Sequence, residues 1–193
     1  MIQDLDWNEE DDELYRVLFP LVRNAAVAGA GGALEGLDAM GVGVDWGLVN
    51  QAVAAWARGY TYDLVRQING TTRKFLQGEI PAWVESGDPL EALIETLKPM
   101  FGKVRAEMIA ATEVTRAFAE GNLATWRVSG VVKGKRWYTA EDELVCPICG
   151  PLAGMEVGLD ENGFTTEEGG EGLTAPPAHV NCRCWLQPVV GED

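Results

Sequence analysis

The sequence predicts an α+β fold, with a mainly helical N-terminal region followed by a small β-containing, zinc-stapled C-terminal unit. Three observations support this class. Apolar residues recur at helical spacing through the first two thirds of the chain, and β-prone segments occur only after residue 130. All four cysteines and the single histidine lie in the last fifty residues. A small unit buries little apolar surface, so a bound metal ion would stabilise it.

Residues 1–44 predict an acidic arm, one amphipathic helix and a glycine-rich connector. Residues 14–28 carry an apolar stripe at helical spacing, formed by Leu14, Val17, Leu18, Leu21, Val22 and Ala25. Pro20 lies within this stripe, so we expect a kink or a restart there. Six glycines between residues 29 and 43 predict a flexible connector and a domain boundary.

Residues 45–102 predict a second helical region. Asp45 is a candidate N-cap for a helix that runs to about Ile68, where Asn69-Gly70 supplies a stop signal. A weaker helix is expected from Thr72 to about Glu85, interrupted near Gly78 or Pro81. Another start signal, Asp88-Pro89-Leu90-Glu91, predicts a helix through Leu97.

Residues 103–193 predict the mixed unit. A helix is expected from Lys103 to about Val128, followed by β-prone residues 131–138 and 185–190. Between the two β-prone segments lie the first cysteine pair and an acidic, glycine-rich loop, residues 160–172.

The cysteines and the histidine predict one structural zinc site. The candidate ligands form two clusters, Cys146-Pro-Ile-Cys149 and His179-Val-Asn-Cys182-Arg-Cys184. A structural Zn²⁺ site takes four thiolate or imidazole ligands. The favoured set is Cys146, Cys149, His179 and Cys182, with Cys184 either replacing one of them or packing as a small buried residue. Two alternatives stay open: a metal-free cluster, and a redox-active Cys146–Cys149 pair.

The same residues argue against an enzyme. One histidine excludes a HExxH protease helix, and a zinc deaminase would need an H-x-E motif before its cysteine pair. A site filled by protein ligands leaves no open position for water, so we expect no catalysis. A polar cluster of Thr112, Glu113 and Arg116 shares one helical face. It is either a surface ion-pair stripe or a contact to the β unit or a partner, with Asp142 a further candidate for that contact.

The charge of −15 lies at the edges of the sequence. Residues 1–13 carry seven acids, residues 160–172 five and the last two residues two, so the remainder has 16 acids against 15 Lys and Arg. Without a basic patch, direct sequence-specific binding of nucleic acid is not expected. No run of eighteen apolar residues and no signal peptide is evident. We therefore expect that the protein does not contact a membrane and that it folds in the reducing cytosol.

Five elements in sequence order resemble the phage Mu F-like minor head protein family, also called the phage head morphogenesis family. They are Ile109–Ala117, Gly121-Asn122, Gly130–Asp142, Cys146–Gly154 and Pro176–Cys184, the last being the most specific. The family usually has Arg and Asn where this chain has Ala111 and Ala119. The resemblance covers residues 100–190 closely and 45–100 loosely.

The resemblance implies a minor capsid protein of a tailed phage or prophage, bound to the portal protein at one vertex and supporting head assembly or genome packaging and ejection. Capsid or scaffolding proteins are further expected partners. The expected location is the interior of the virion head at the portal vertex, and the host cytoplasm during assembly. Two alternatives are an effector enzyme that uses His179 or Glu113 and Arg116, and a cytosolic zinc-binding adaptor.

Overall fold

The computed structural model describes residues 7–86, 89, 92, 95–96, 102–140, 142–143, 145–165 and 172–191. Three helices precede a small sheet: α1 (Trp7–Ala39), α2 (Trp46–Ser86), α3 (Lys103–Ser129), β1 (Val132–Tyr138), β2 (Glu156–Gly158) and β3 (Trp185–Val190). The predicted α+β class is therefore confirmed, with helices first and the β unit last. The helix expected from Asp88 to Leu97 begins and ends outside the described residues. The domain boundaries expected at residues 44 and 102 stay predictions.

The connector expected over residues 29–43 is wrong, because α1 continues through Pro20 and through four of its glycines to Ala39. One of these four glycines, Gly29, is required for the packing of α1 on α3, as is Gly121 of α3. A Cβ atom on Gly29 would lie 2.1 Å from the carbonyl oxygen of Phe118, and one on Gly121 would lie 1.9 Å from that of Ala26. Only a missing side chain lets the backbones of α1 and α3 approach so closely.

Small residues continue this crossing along both helices. Ala26, Ala30 and Ala33 of α1 are buried, and the hydroxyl of Thr125 donates a hydrogen bond to the carbonyl of Ala30 (3.0 Å). By length and composition alone, residues 11–39 are apolar enough to cross a membrane. Core helices of soluble proteins and signal sequences pass the same test. In α1, the face that carries Ala26, Ala30 and Ala33 is buried against the other helices.

Helix α2 begins where predicted and ends later than predicted. The Asp45 carboxylate accepts hydrogen bonds from the backbone N–H groups of Gly47 (2.8 Å) and Leu48 (3.2 Å), which confirms the N-cap. The stop expected at Asn69-Gly70 and the break near Gly78 or Pro81 are wrong, because the helix runs on to Ser86. The Asn69 amide instead donates to Asp11 of α1 (2.7 Å), so a tertiary contact outweighs the local stop signal.

The sheet is antiparallel with the order β2-β1-β3. Both long strands lie where the sequence predicts them, and the short β2 was not predicted. One face of the sheet packs on the end of α3, and the shared core holds Leu123, Trp126, Trp137, Leu152, Phe164 and Leu186. This packing brings the loops before residue 152 and before residue 185 to the same side of α3.

A lysine is buried in the middle of β1. The Lys135 ammonium donates to the carbonyl of Leu159 (2.7 Å) and lies 5.9 Å from the centre of the Phe164 ring. Burial, with the nearby charge of Arg127, lowers the pKa of Lys135 to about 8. The Leu159 carbonyl and the Phe164 ring therefore contact the ammonium group, and burial destabilises its charged form.

Candidate metal centre

The first cysteine pair lies on a tight turn after β1. The N–H groups of Cys149 and Gly150 both donate to the carbonyl of Cys146, at 3.1 and 3.0 Å, and the Cys149 N–H also lies 3.4 Å from the Cys146 sulfur. A short 3-10 helix, Gly150–Leu152, follows and buries Leu152 in the core. The turn therefore directs both sulfurs of the pair toward one side.

The second cluster closes on the first from the loop before β3. The Nε2 atom of His179 lies 3.0 Å from the Cys146 sulfur and 3.1 Å from the Cys149 sulfur, and the sulfurs of Cys149 and Cys182 are 3.7 Å apart. Tetrahedral zinc, with bonds of about 2.3 Å to sulfur and 2.0–2.1 Å to nitrogen, sets its ligands at similar separations. The spacing of these atoms therefore fits a small tetrahedral cation.

Within the described part of the chain, two groups could hold a metal ion, and they share one residue. Cys146, Cys149 and His179 form the first group, and Cys149, Cys182 and Cys184 the second, with the ligand atoms of each group within 4.8 Å of one another. All five predicted ligands thus lie in one place. Cys149 is the residue that belongs to both groups, so any set of ligands taken from the two is expected to include it.

The histidine ring is oriented for coordination. Its Nδ1 atom lies 2.7 Å from the carbonyl oxygen of Val180, and a carbonyl only accepts, so Nδ1 carries the proton. The lone pair of Nε2 therefore faces the two cysteine sulfurs. A second hydrogen bond that fixes the tautomer in this way is the usual companion of a metal-bound imidazole.

The cluster favours a thiolate at Cys182. Hydrogen bonds from the Cys184 thiol, and from backbone N–H groups that include that of Ala178, lower the pKa of Cys182 against the opposing effect of burial. Burial, with the neighbouring Cys182 charge, raises the pKa of Cys149 to about 12. Against the opposing effect of burial, hydrogen bonds from N–H groups of its turn lower the pKa of Cys146 as well. A bound cation would favour the thiolate form of every ligand sulfur.

Helix α3 anchors the second cysteine loop through two threonines. The Thr112 hydroxyl accepts a hydrogen bond from the backbone N–H of Asn181 (3.0 Å), and the Thr115 hydroxyl donates to the carbonyl of Cys182 (3.0 Å). Asn181 has a φ of 61°, which turns the chain between His179 and Cys182. Thr112 was predicted as a site residue, whereas Thr115 was not, although both lie on one helical face.

Asp142 joins the two cysteine loops to each other. Its two carboxylate oxygens each accept a hydrogen bond of 2.8 Å from the Arg183 guanidinium, which follows Cys182. The pair is bidentate, a geometry that positions as well as attracts. The sequence suggested Asp142 for a contact between the helix and the β unit, and the structure pairs it with Arg183 of the second cysteine loop.

The expected role of Glu113 and Arg116 as a tie to the β unit is wrong. Both residues face α2, where the Tyr60 hydroxyl donates to the Glu113 carboxylate and the Arg116 Nε lies 3.3 Å from the same oxygen. The Arg116 guanidinium also lies 5.7 Å from the centre of the Tyr60 ring. Burial, with the Glu113 hydrogen bond, raises the pKa of Tyr60. Glu113 and Arg116 each follow directly after a threonine that does reach the metal loop, so consecutive residues of α3 face different neighbours.

Comparisons with known proteins identify the family of this chain. The family model described as "Phage Mu protein F like protein" matches residues 76–187, which include all of α3, the cysteine loops and nearly all of the sheet. An uncharacterized protein of Bacillus subtilis (strain 168), YqbB, is 25% identical over 165 residues, which are 80% of this chain and 54% of YqbB. The chain thus spans about half the length of this curated relative. No solved structure matches it significantly.

Proposed function

Because this chain belongs to the phage Mu F-like protein family, we propose that it is a minor head protein of a tailed phage or prophage. In this proposal it associates with the portal protein at one vertex and supports head assembly or genome packaging and ejection. Capsid or scaffolding proteins are secondary partners. The protein resides inside the virion head at the portal vertex, and in the host cytoplasm during assembly.

One observation carries the proposal. The family match covers a single packed unit, in which α3 holds the HVNCRC loop through Thr112 and Thr115 and the sheet holds the CxxC loop. The matched residues therefore include a connected part of the structure as well as the cysteine pattern. A unit of this kind suits a protein whose task is to present surfaces to other head proteins.

We propose a structural Zn²⁺ as the ion of the metal centre. Cys146, Cys149, His179 and Cys182 would hold it, with Cys184 able to replace one of them, because thiolates and imidazole are the ligands that zinc prefers. Bound zinc would supply a cross-link, not a reaction. Its ligands join the loop after β1 to the loop before β3, and α3 fixes the latter.

Two rival functions make different predictions. An effector enzyme would need His179 or the Glu113–Arg116 pair to face a substrate. His179 is instead directed at two sulfurs, and the Glu113 carboxylate is already bound by Tyr60 and Arg116. A cytosolic zinc-binding adaptor would share the metal centre but not the phage context. We therefore propose a non-enzymatic role.

Mass spectrometry of purified heads tests the proposed function. We expect the chain at a few copies per particle, and immunogold label at a single vertex. Deletion of its gene should reduce infectious particles without loss of the major capsid protein. Absence of the chain from heads, with unchanged infectivity after deletion, would contradict the proposal and favour the adaptor.

A further inference from the structure

An apolar groove of about 490 Å³ opens between the three helices, away from the metal centre. Helix α1 supplies one wall, α2 the floor and α3 the other wall. Its apolar lining is Leu14, Leu18, Leu21, Val22, Ala25, Leu64, Ile68, Ile109 and Val114. Leu21 is 59% exposed and Val114 is 52% exposed, so the rims of both walls face solvent. A contiguous exposed apolar surface of this kind often marks a site that binds another molecule.

The shape of the groove fits a helix. Leu14, Leu18, Leu21 and Ala25 follow one another at steps of three and four residues, so they form a straight ridge about 16 Å long at 1.5 Å per residue. Among the residues that the structure describes, three helices surround the groove and none occupies the fourth position of a bundle. A fourth amphipathic helix would bury its apolar face there, in the helix-in-groove mode of recognition.

The charge around the groove indicates what kind of helix would bind. Asp11, Asp12 and Glu13 lie in the turn of α1 just before Leu14 and form an acidic rim at this end of the groove. Glu113 also lines the groove, but its carboxylate is already paired with Tyr60 and Arg116. The chain as a whole carries −15. A second copy of this chain, or an anionic lipid surface, would bring like charge to this rim, whereas Lys and Arg on a partner helix would bring opposite charge.

We propose that this groove binds an amphipathic helix of another head protein, with apolar residues on one face and Lys or Arg at the end that lies over the first turns of α1. The inference rests on the proposed function only in naming a head protein as the source of the helix. The groove, its lining and its acidic rim are properties of this chain alone.

A synthetic peptide tests the proposal directly. The probe is a fluorescent 18-residue helix with Leu at heptad positions a and d and Lys at the flanking positions, titrated with the full chain and followed by anisotropy. Leu21→Glu on one wall and Val114→Glu on the other should each weaken binding at least tenfold, since a charge would enter the apolar contact. The matched control is Leu48→Glu on α2, where the wild-type side chain is 54% exposed and outside the groove lining. It should leave binding unchanged.

A second peptide, with Glu in place of every Lys, should bind at least tenfold more weakly at low salt than the Lys peptide. Equal binding of both peptides, or equal weakening by all three variants, would overturn the proposal. So would a concentration-dependent dimer, or binding to phosphatidylglycerol vesicles, that Leu21→Glu abolishes. Circular dichroism of each variant verifies folding.

The proposed function is judged separately by the presence of the wild-type chain in purified heads. If the chain is present in heads but peptide binding ignores Leu21→Glu and Val114→Glu, the groove inference fails and the proposed function stands. If the chain is absent from heads but the peptide results are as expected, the proposed function fails and the groove still binds an amphipathic helix.

Discussion

The backbone N–H of Asn181 donates a hydrogen bond to the hydroxyl of Thr112, 69 residues earlier in the chain, at 3.0 Å. The same hydroxyl donates to the carbonyl of Met108 within α3 (2.7 Å), so Thr112 is both donor and acceptor. This bond holds the turn between two candidate metal ligands against a helix that the metal itself would not touch.

Replacement of Thr112 by valine should therefore destabilise the protein by about 1–3 kcal/mol, because the Asn181 N–H loses its partner while the shape of the side chain is kept. Thr71 is the matched control. Its hydroxyl makes the same bond to the carbonyl four residues earlier, that of Gln67, but it is exposed and has no loop to hold. Thr71→Val should change the free energy of unfolding by less than about 0.5 kcal/mol in denaturant titrations. Equal effects of both variants would show that the bond to Asn181 contributes nothing.

The close crossing of α1 and α3 predicts opposite effects for two glycines in one helix. Gly29→Ala would place a Cβ atom 2.1 Å from the Phe118 carbonyl oxygen, so the helices must separate, at a cost of about 1–3 kcal/mol or more. A Cβ atom on Gly31 meets nothing within 4 Å. Gly31→Ala should stabilise the protein by about 0.5–1 kcal/mol through helix propensity. Thermal unfolding followed by circular dichroism measures both, and stabilisation by Gly29→Ala would contradict the crossing.

These glycines also show where sequence reasoning stops. Their number predicted flexibility, yet Ala26, Ala30 and Ala33 were present in the sequence as a small-residue face at helical spacing. The packing of that face could be predicted only if the helix against it were known, and the contacting residue, Gly121, lies about ninety positions later. The N-cap at Asp45, α3 and both long strands were predicted because their signals are local. The later end of α2 was missed because a tertiary bond from Asn69 to Asp11 overrides a local stop.

The metal centre was predictable as a set of five residues but not as a geometry. Cysteine and histidine are few enough here that their clustering alone indicates the site. Spacing could not show that Cys149 belongs to both groups, or that Glu113 and Arg116 face α2. The helical face that they share with Thr112 is broad enough to contact two different neighbours.

Zinc should bind at about one equivalent per chain, and the variants should rank its ligands. Cys149→Ser should reduce bound zinc below about a tenth of an equivalent and unfold residues 130–190, since structural zinc contributes about 10 kcal/mol or more in small zinc peptides. Cys184→Ser should retain the metal. Elemental analysis and near-UV circular dichroism measure these effects. Loss of zinc from Cys184→Ser and its retention by Cys146→Ser would move Cys184 into the ligand set in place of Cys146.

Removal of Lys135 should change how stability depends on pH. The folded state holds the pKa of Lys135 at about 8, against 10.5 for an ordinary lysine, so between these values the unfolded chain binds more protons. This lysine therefore makes stability rise with pH from about 8 to 10.5, and its cost is fully present below pH 8. Lys135→Met should lack that rise. The measurement is the difference between wild-type and variant unfolding free energies across this range, and a constant difference would contradict the buried charge.

The α1–α3 crossing also imposes an order on folding during synthesis. The Thr125 hydroxyl is shared between the carbonyl of Gly121 within α3 (3.2 Å) and that of Ala30 in α1, 95 residues earlier (3.0 Å). At about 5–20 residues per second, the ribosome takes roughly 5 to 19 seconds to make the chain between Ala30 and Thr125. For the later part of that interval the alanine and glycine face of α1 has left the ribosome before α3, which packs against it, is complete. A nascent chain stalled before residue 120 should therefore bind hydrophobic-surface chaperones, and one stalled well beyond Ser129 should release them.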